Sequence, residues 1–208
     1  MTATALLRTV PIVITILVAG SSSSLWGQWR LGLEAGAARF WGGSLDTGGE
    51  HTSFRPYRPT TFGIRLERQA GRSGFGLQVN YFEAGLALEG PDVVISSDGV
   101  FKTFSIAPEA SIHVTTLGSG NSVRLQAGPL LEIWDIIDRD TRTRLGVHGS
   151  VSLDVPLGNR FSGVVLAGAA ITPSPYGEGE LNLGEGFPTY ERRTLWRRSF
   201  GLGLKYRL

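Results

Sequence analysis

The chain has 208 residues, of which 41% are hydrophobic and 18% are charged, a balance too apolar for a disordered protein. It contains no cysteine, which excludes disulfides, thiolate metal sites and a cysteine nucleophile. The net charge of +2 gives no reason to expect nucleic acid as a partner, and the mean hydropathy of +0.03 excludes a membrane protein built from several apolar helices.

Residues 1–27 have the pattern of a secretory signal peptide. Arg8 precedes an apolar run of about 11 residues, which is shorter than the ~20 that a membrane-spanning helix needs, and small residues follow it. Cleavage after Gly27 or after Gly20 fits this pattern. The alternatives are a short membrane anchor or a buried helix. We expect residues 1–27 to be removed on export, which leaves residues 28–208 as one barrel domain.

From Gln28 onward, hydrophobic residues alternate with polar or small ones, which is the period of a β-strand. Eight segments show this pattern: residues 29–37, 62–67, 75–81, 103–114, 123–133, 144–155, 161–171 and 199–208. The seventh segment is apolar on both parities, so its facing stays open. Pro108 and Pro129 each remove a ladder donor within a strand, and we expect a bulge or a local break at both.

The connections between these segments alternate in length. Residues 42–59, 84–101, 136–142 and 173–193 form long or polar connections, whereas residues 70–74, 116–122 and 156–160 form tight turns. Membrane barrels have short periplasmic turns and longer external loops. The pattern therefore predicts an all-β fold, an eight-stranded antiparallel up-and-down transmembrane β-barrel with both termini on the periplasmic side.

The strand parity opposite the apolar one carries most of the charge, interleaved with glycines. An eight-stranded barrel has an interior that side chains just fill, and arginine can bind carboxylates bidentately there. We therefore expect the apolar parity to face lipid and the other to plug a polar interior; the alternative is that the charged parity faces water. The predicted interior charge network comprises Arg30, Glu34, Arg65, Glu67, Glu109, Arg124, Glu132, Arg144, Asp154, Lys205 and Arg207.

Aromatic residues fall near the predicted strand ends, as in the two interfacial girdles of membrane barrels. The chain also ends in an alternating strand, Phe200-Gly-Leu-Gly-Leu-Lys-Tyr-Arg-Leu208. With these features, residues 28–208 resemble the small eight-stranded outer-membrane barrels, the OmpA-transmembrane and OmpX/Ail-like group. The resemblance implies location in the outer membrane of a Gram-negative-type bacterium and recognition of the last strand by the outer-membrane assembly machinery. Leu208 replaces the more usual terminal Phe.

Two polar pairs are candidates for chemistry. His148 and Ser150 share one strand face, a spacing similar to that in lipid A deacylases of the outer membrane, but their parity points inward. His113 and Glu109 share a face without a third ligand. We therefore predict no catalytic, cofactor-binding or metal-binding residue.

A basic and aromatic cluster is the most specific functional feature. Arg39 and Arg198 lie on the lipid-facing parity of the first and last strands, near the external end. Arginine at an interface can bind phosphate bidentately, so lipopolysaccharide is the expected partner. The predicted contact residues are Arg39, Trp41, Arg192, Arg193, Trp196, Arg197 and Arg198.

The sequence thus predicts a non-catalytic outer-membrane protein with a structural or surface-interaction role: envelope integrity, adhesion or binding through external loops. Residues 84–101 contain a second apolar run, which indicates a hairpin above the membrane. The edge of such a hairpin could pair with a strand of an extracellular protein partner. The alternatives are a lipid A-modifying enzyme and a soluble lipocalin-like periplasmic carrier.

Overall fold

The computed structural model describes residues 28–46, 53–89, 94–137, 139–177 and 190–208, so the predicted signal peptide lies outside the described residues. The strands are β1 (Gln28–Asp46), β2 (Ser53–Ala70), β3 (Ser73–Glu89), β4 (Val94–Thr116), β5 (Ser122–Ile136), β6 (Arg142–Pro156), β7 (Phe161–Thr172) and β8 (Tyr190–Arg207). One turn of 3-10 helix, Gly118–Gly120, precedes β5. No helix in these ranges is long and apolar enough to cross a membrane.

Each strand pairs antiparallel with its neighbours along the chain, and β8 returns to pair with β1. The closing register runs from Arg30 opposite Arg207 to Asp46 opposite Tyr190. The sheet is therefore a closed up-and-down barrel of eight strands. This result confirms the predicted architecture.

The first long connection is shorter than predicted, because residues 42–46 and 53–59 belong to strands. Pairing of β1 with β8 continues to Asp46 through a bulge between Gly42 and Ser44. Gly42 and Gly43 have φ angles of +77° and +89°, which glycine adopts without steric cost, so the strand continues past the irregularity.

The second long connection is also mostly strand. β3 and β4 stay paired up to Glu89 opposite Val94, with a register shift between Ala84 and Leu86. This segment is therefore a hairpin, as predicted. Because β5–β7 lack such extensions, the wall is higher on the side of β8, β1, β2, β3 and β4.

The two prolines interrupt the pairing of β4 with β5. The register is the same on both sides of the gap, at Ile106 opposite Leu131 and at Ala110 opposite Ala127, so the interruption is a local break. Gly128 permits the close approach there, since a Cβ at this position would overlap the carbonyl oxygen of Pro108.

The two faces of the sheet differ in chemistry. Leu33 and Ile64 are 59% and 54% exposed on the outer face, whereas Arg65 is 1% exposed inside the barrel. The facing of β7 is resolved by burial, because Val164 and Leu166 point inward and Val165 and Ala167 point outward. Val164 fits inside because it lies opposite Gly203 of β8, which has no side chain.

Candidate functional site: the lumen and the outer face of β1 and β8

The lower part of the lumen holds a group of ion pairs centred on Lys205. Its Nζ lies 3.0 Å from Asp154 Oδ1 and 3.5 Å from Glu67 Oε2. Arg124 Nε approaches Asp154 Oδ2 at 3.3 Å, and Arg30 lies 3.7–3.8 Å from Asp154 and Glu67 at the rim of the group. These side chains come from β1, β2, β5, β6 and β8, so the contacts cross the lumen.

Arg65 lies in the middle of the lumen. Its Nε donates to Glu34 Oε1 at 2.7 Å, and one of its terminal nitrogens donates to Glu109. Gln78 donates to the other oxygen of Glu34 at 2.8 Å. One guanidinium thus joins carboxylates from β1 and β4, with different nitrogens of its planar fork directed at each.

Arg197 was predicted to extend the outer basic cluster, and this placement is wrong. Its side chain enters the lumen, where the guanidinium lies 2.8 Å from Glu132 Oε1 and 5.6 Å from the ring centroid of Phe82. The physical reason is parity: Arg197 shares its strand face with Lys205, while Arg198 takes the other face.

Two predicted members of the interior network lie elsewhere. Arg144 donates to the backbone oxygens of Ser174 and Tyr176 at the mouth of the barrel, and Arg207 is exposed at the opposite rim and donates to Asn159 O. Both lie near strand ends, where side chains leave the lumen. Five cations and five carboxylates form the ion pairs inside the described lumen: Arg30, Arg65, Arg124, Arg197, Lys205, Glu34, Glu67, Glu109, Glu132 and Asp154.

An aromatic cap lies above the charged part of the lumen. Trp134 is its centre, with ring centroids of Phe40, Phe82 and Phe101 at 5.7–6.1 Å. These side chains are fully buried on the lumen parity of their strands. The indole nitrogen of Trp134 donates to Glu132 at 3.1 Å, which links the cap to the ion pairs. The alternation in the sequence does not indicate the cap, because apolar side chains were expected on the lipid face.

A strap, residues 173–177 after β7, folds across the mouth onto this cap. Ser174 Oγ donates to Gly43 O on β1 at 2.7 Å, and Arg142 and Arg144 donate to the oxygens of Pro175 and Ser174 at 3.0 and 2.7 Å. Tyr176 packs on Phe101, and burial raises the pKa of its hydroxyl, which therefore stays protonated.

The outer face of β1 and β8 carries the arginine pair, Arg39 and Arg198, which lie directly opposite each other in the register. Both guanidinium carbons lie over the ring of Trp41, at 5.6 and 4.9 Å from its centroid. Trp196 faces Trp41 across the strands. No carboxylate of the described ranges lies within 4.0 Å of either arginine.

Two other residues of the predicted cluster lie nearer the start of β8. Arg193 pairs with Glu191 at 3.0 Å, with both side chains exposed, and Arg192 is exposed on the same stretch. The structure therefore brings together Arg39, Trp41, Trp196 and Arg198. Arg192 and Arg193 lie apart from these four residues, near the first residues of β8.

The residue pairs that were candidates for chemistry lie on the inner face. Ser150 Oγ donates to Gln126 at 2.8 Å rather than to His148, whose Nε2 is 4.0 Å from Glu109. His113 bonds to Thr116 at 3.0 Å, away from Glu109. A polar cavity of about 80 Å³ separates Arg65 from Arg197 beside His148.

Several solved structures to which this chain is similar are outer-membrane proteins. OprG from Pseudomonas aeruginosa is 11% identical with a TM-score of 0.57, over 89% of this chain and 98% of that chain. Neisserial surface protein A is 12% identical with a TM-score of 0.55, over 89% of this chain and 100% of that chain. A major outer membrane protein from Thermus thermophilus is 15% identical with a TM-score of 0.50, over 86% of this chain and 99% of that chain. No family model and no curated protein matches the chain. The fold is therefore that of small outer-membrane β-barrels.

Proposed function

We propose that this protein is an integral outer-membrane barrel with a structural and surface-interaction role. The observation that carries the proposal is the contrast between an apolar outer face and a lumen filled by ion pairs and aromatic rings. A closed barrel satisfies its backbone hydrogen bonds internally and can present apolar side chains to acyl chains.

Residence in the membrane is tested by fractionation and a heat-shift gel. We expect the full-length protein to sediment with membranes, to need detergent for release, and to migrate faster before boiling than after. Release by osmotic shock without detergent would overturn the proposal and favour the soluble carrier.

A pore function is disfavoured by the contents of the lumen. Five cations pair with five carboxylates there, and the cap and strap cover the mouth. We expect planar-bilayer recordings of the purified protein to show no steady, reproducible conductance; a stable single-channel level would overturn this part of the proposal.

Lipopolysaccharide contact is the interaction that we propose for the outer face. The arginine pair supports it, because two guanidinium groups side by side can each donate two hydrogen bonds to phosphate. The same surface also includes Trp41, Trp196, Arg192 and Arg193. Replacing both Arg39 and Arg198 with alanine should reduce the lipopolysaccharide that copurifies with the barrel, and unchanged retention would remove the proposal.

A second candidate interaction involves the raised β3–β4 hairpin. Pairing of β4 with β5 begins only at Phe101, so part of β4 forms a free strand edge in the described structure. Such an edge can accept a strand from an extracellular protein. Shortening the hairpin by replacing residues 86–97 with Asn-Gly should preserve the heat shift and lower the adhesion of cells that display the barrel; equal adhesion would exclude this role.

The enzyme alternative depends on His148 and Ser150. Their inward orientation and the bond from Ser150 to Gln126 do not support attack on a lipid ester outside the barrel. Unchanged lipid A acylation after incubation with the purified protein is the expected result. A change that disappears in Ser150→Ala would favour the enzyme instead.

A further inference from the structure

A shallow groove runs along the outer face of β1 below the arginine pair. Its floor consists of the two small outward residues Ala35 and Ala37. In the register, Ala37 lies between Phe200 and Thr60, and Ala35 lies between Leu202 and Phe62. The neighbouring strands therefore raise larger side chains on both sides of a floor of methyl groups.

The lower part of the groove is apolar. At Ala35 it joins an open depression of the outer surface, which crosses the strands from Leu202 and Leu204 of β8, past Phe62 of β2, to Val79 and Phe104 of β3 and β4. Phe62 and Leu202 are each 58% exposed, so they border the groove without covering it. A flexible hydrocarbon chain can fill such a groove.

The upper end of the groove is strongly basic. Arg39 follows Ala37 by two residues on the same face, and Arg198 stands beside it. Arg55 of β2 lies close enough to Arg39 for their charges to interact, so the positive field extends onto β2. Four residues of strand span about 13 Å, so the guanidinium groups reach headgroup depth when the alanines lie among acyl chains.

We propose that this groove is a specific site for one lipid A molecule, with a phosphate on Arg39 and Arg198 and one acyl chain along Ala35 and Ala37. The proposal rests on the lipopolysaccharide contact proposed above and adds the acyl-chain site to it. The charge favours lipid A over a phospholipid, because several adjacent arginines complement a lipid that carries more than one phosphate.

The test is a titration of the folded, detergent-solubilised barrel, with binding followed by tryptophan fluorescence. The ligands are lipid A, its de-acylated phosphorylated disaccharide and phosphatidylglycerol. We expect the wild-type protein to bind lipid A about tenfold more tightly than either of the others, because only lipid A provides both the acyl chain and the additional phosphate.

Two substitutions fill the groove without touching the arginines. Ala35→Phe with Ala37→Phe should weaken lipid A binding about tenfold and leave binding of the de-acylated disaccharide unchanged. Ala110→Phe with Ala127→Phe is the matched control, because these alanines are also exposed, paired and outward on β4 and β5. A heat-shift gel verifies that every variant is folded.

The outcomes separate the groove from the arginine contact. If filling the groove leaves lipid A affinity unchanged while Arg39→Ala with Arg198→Ala lowers it, the acyl site is wrong and the phosphate contact stands. If the arginine variant also binds normally, both proposals are wrong. Equal wild-type affinity for phosphatidylglycerol would make the occupant a phospholipid and overturn the assignment to lipid A.

Discussion

Arg65 joins two carboxylates in the middle of the lumen. It is buried, and it bonds to Glu34 of β1 and Glu109 of β4 on two sides. A buried pair adds little net stability over an apolar replacement of both partners, but removing one partner leaves charge without compensation.

Arg65→Met should therefore destabilise the folded barrel by about 3–5 kcal/mol, because Glu34 and Glu109 lose their shared partner. The free energy of unfolding is measured by urea titration in lipid vesicles. The matched control is Arg72→Met in the exposed β2–β3 turn, which should change stability by less than about 0.5 kcal/mol. Equal effects of the two substitutions would show that the lumen contact is unimportant.

The parity of the strands correctly indicated the positions of most charged residues, including Arg65, Glu67, Glu132 and Lys205. The same parity gave the wrong face for Arg197. Its neighbour Leu195 is apolar but points inward onto the aromatic cap, so an apolar side chain does not mark the lipid face in this part of β8. Alternation reveals which residues share a face, and it does not reveal where the chemistry of that face changes with height.

At the level of the elements, strand number and order were predictable, and strand ends were not. The bulge at Gly42 and Gly43 and the register shift after Ala84 let strands continue into segments that look like loops in the sequence. Such shifts depend on pairing with a distant strand, which local alternation does not contain. The strap was unpredictable for the same reason, since its contacts are with Gly43, Arg142 and Arg144.

The strap should be held closed by its arginines. Because the chain contains no cysteine, a single Ser174→Cys substitution can report its opening by the rate of maleimide labelling. Adding Arg142→Ala and Arg144→Ala should raise that rate about tenfold, since three bonds to strap carbonyls are lost. Thr141→Cys, which is already exposed, is the control and should label equally fast in both backgrounds. An unchanged rate at Ser174→Cys would show that other contacts close the mouth.

The outward face of the barrel should be sensitive to charge according to depth. Leu33→Arg, in the apolar band between Trp29 and Trp41, should cost about 2–4 kcal/mol of stability in a bilayer. Val114→Arg, near the lower end of β4, should cost at most about 1 kcal/mol. Urea titration of the two variants in the same vesicles gives the comparison, and equal costs would contradict the assigned depth.

The whole barrel separates two environments within one layer of backbone. Its lumen carries equal numbers of paired positive and negative groups in the described structure, so the interior holds charge without holding a net charge. The sequence did not predict this balance, because the predicted network included the two rim arginines, Arg144 and Arg207, and omitted Arg197. It accounts for a filled interior that needs no counter-ion.

The pairing of β8 with β1 should also be a slow step in folding. The amide of Leu208 donates to Trp29 O at 3.0 Å, so the seam joins segments about as distant in sequence as the described chain allows. Before that seam forms, β1 and β8 are both open edges, and contacts of such long sequence separation form slowly.

Defects at the seam should therefore slow closure. A Cβ at Gly36 would overlap the carbonyl oxygen of Phe200 across it, whereas a Cβ at Gly32 meets only ordinary contacts from 3.5 Å. Gly36→Ala should delay the appearance of the compact gel band during refolding, and Gly32→Ala should not; identical time courses would place the slow step elsewhere. The lumen of such a barrel is separated from its surroundings only when β1 and β8 pair, so these two strands determine when the interior closes.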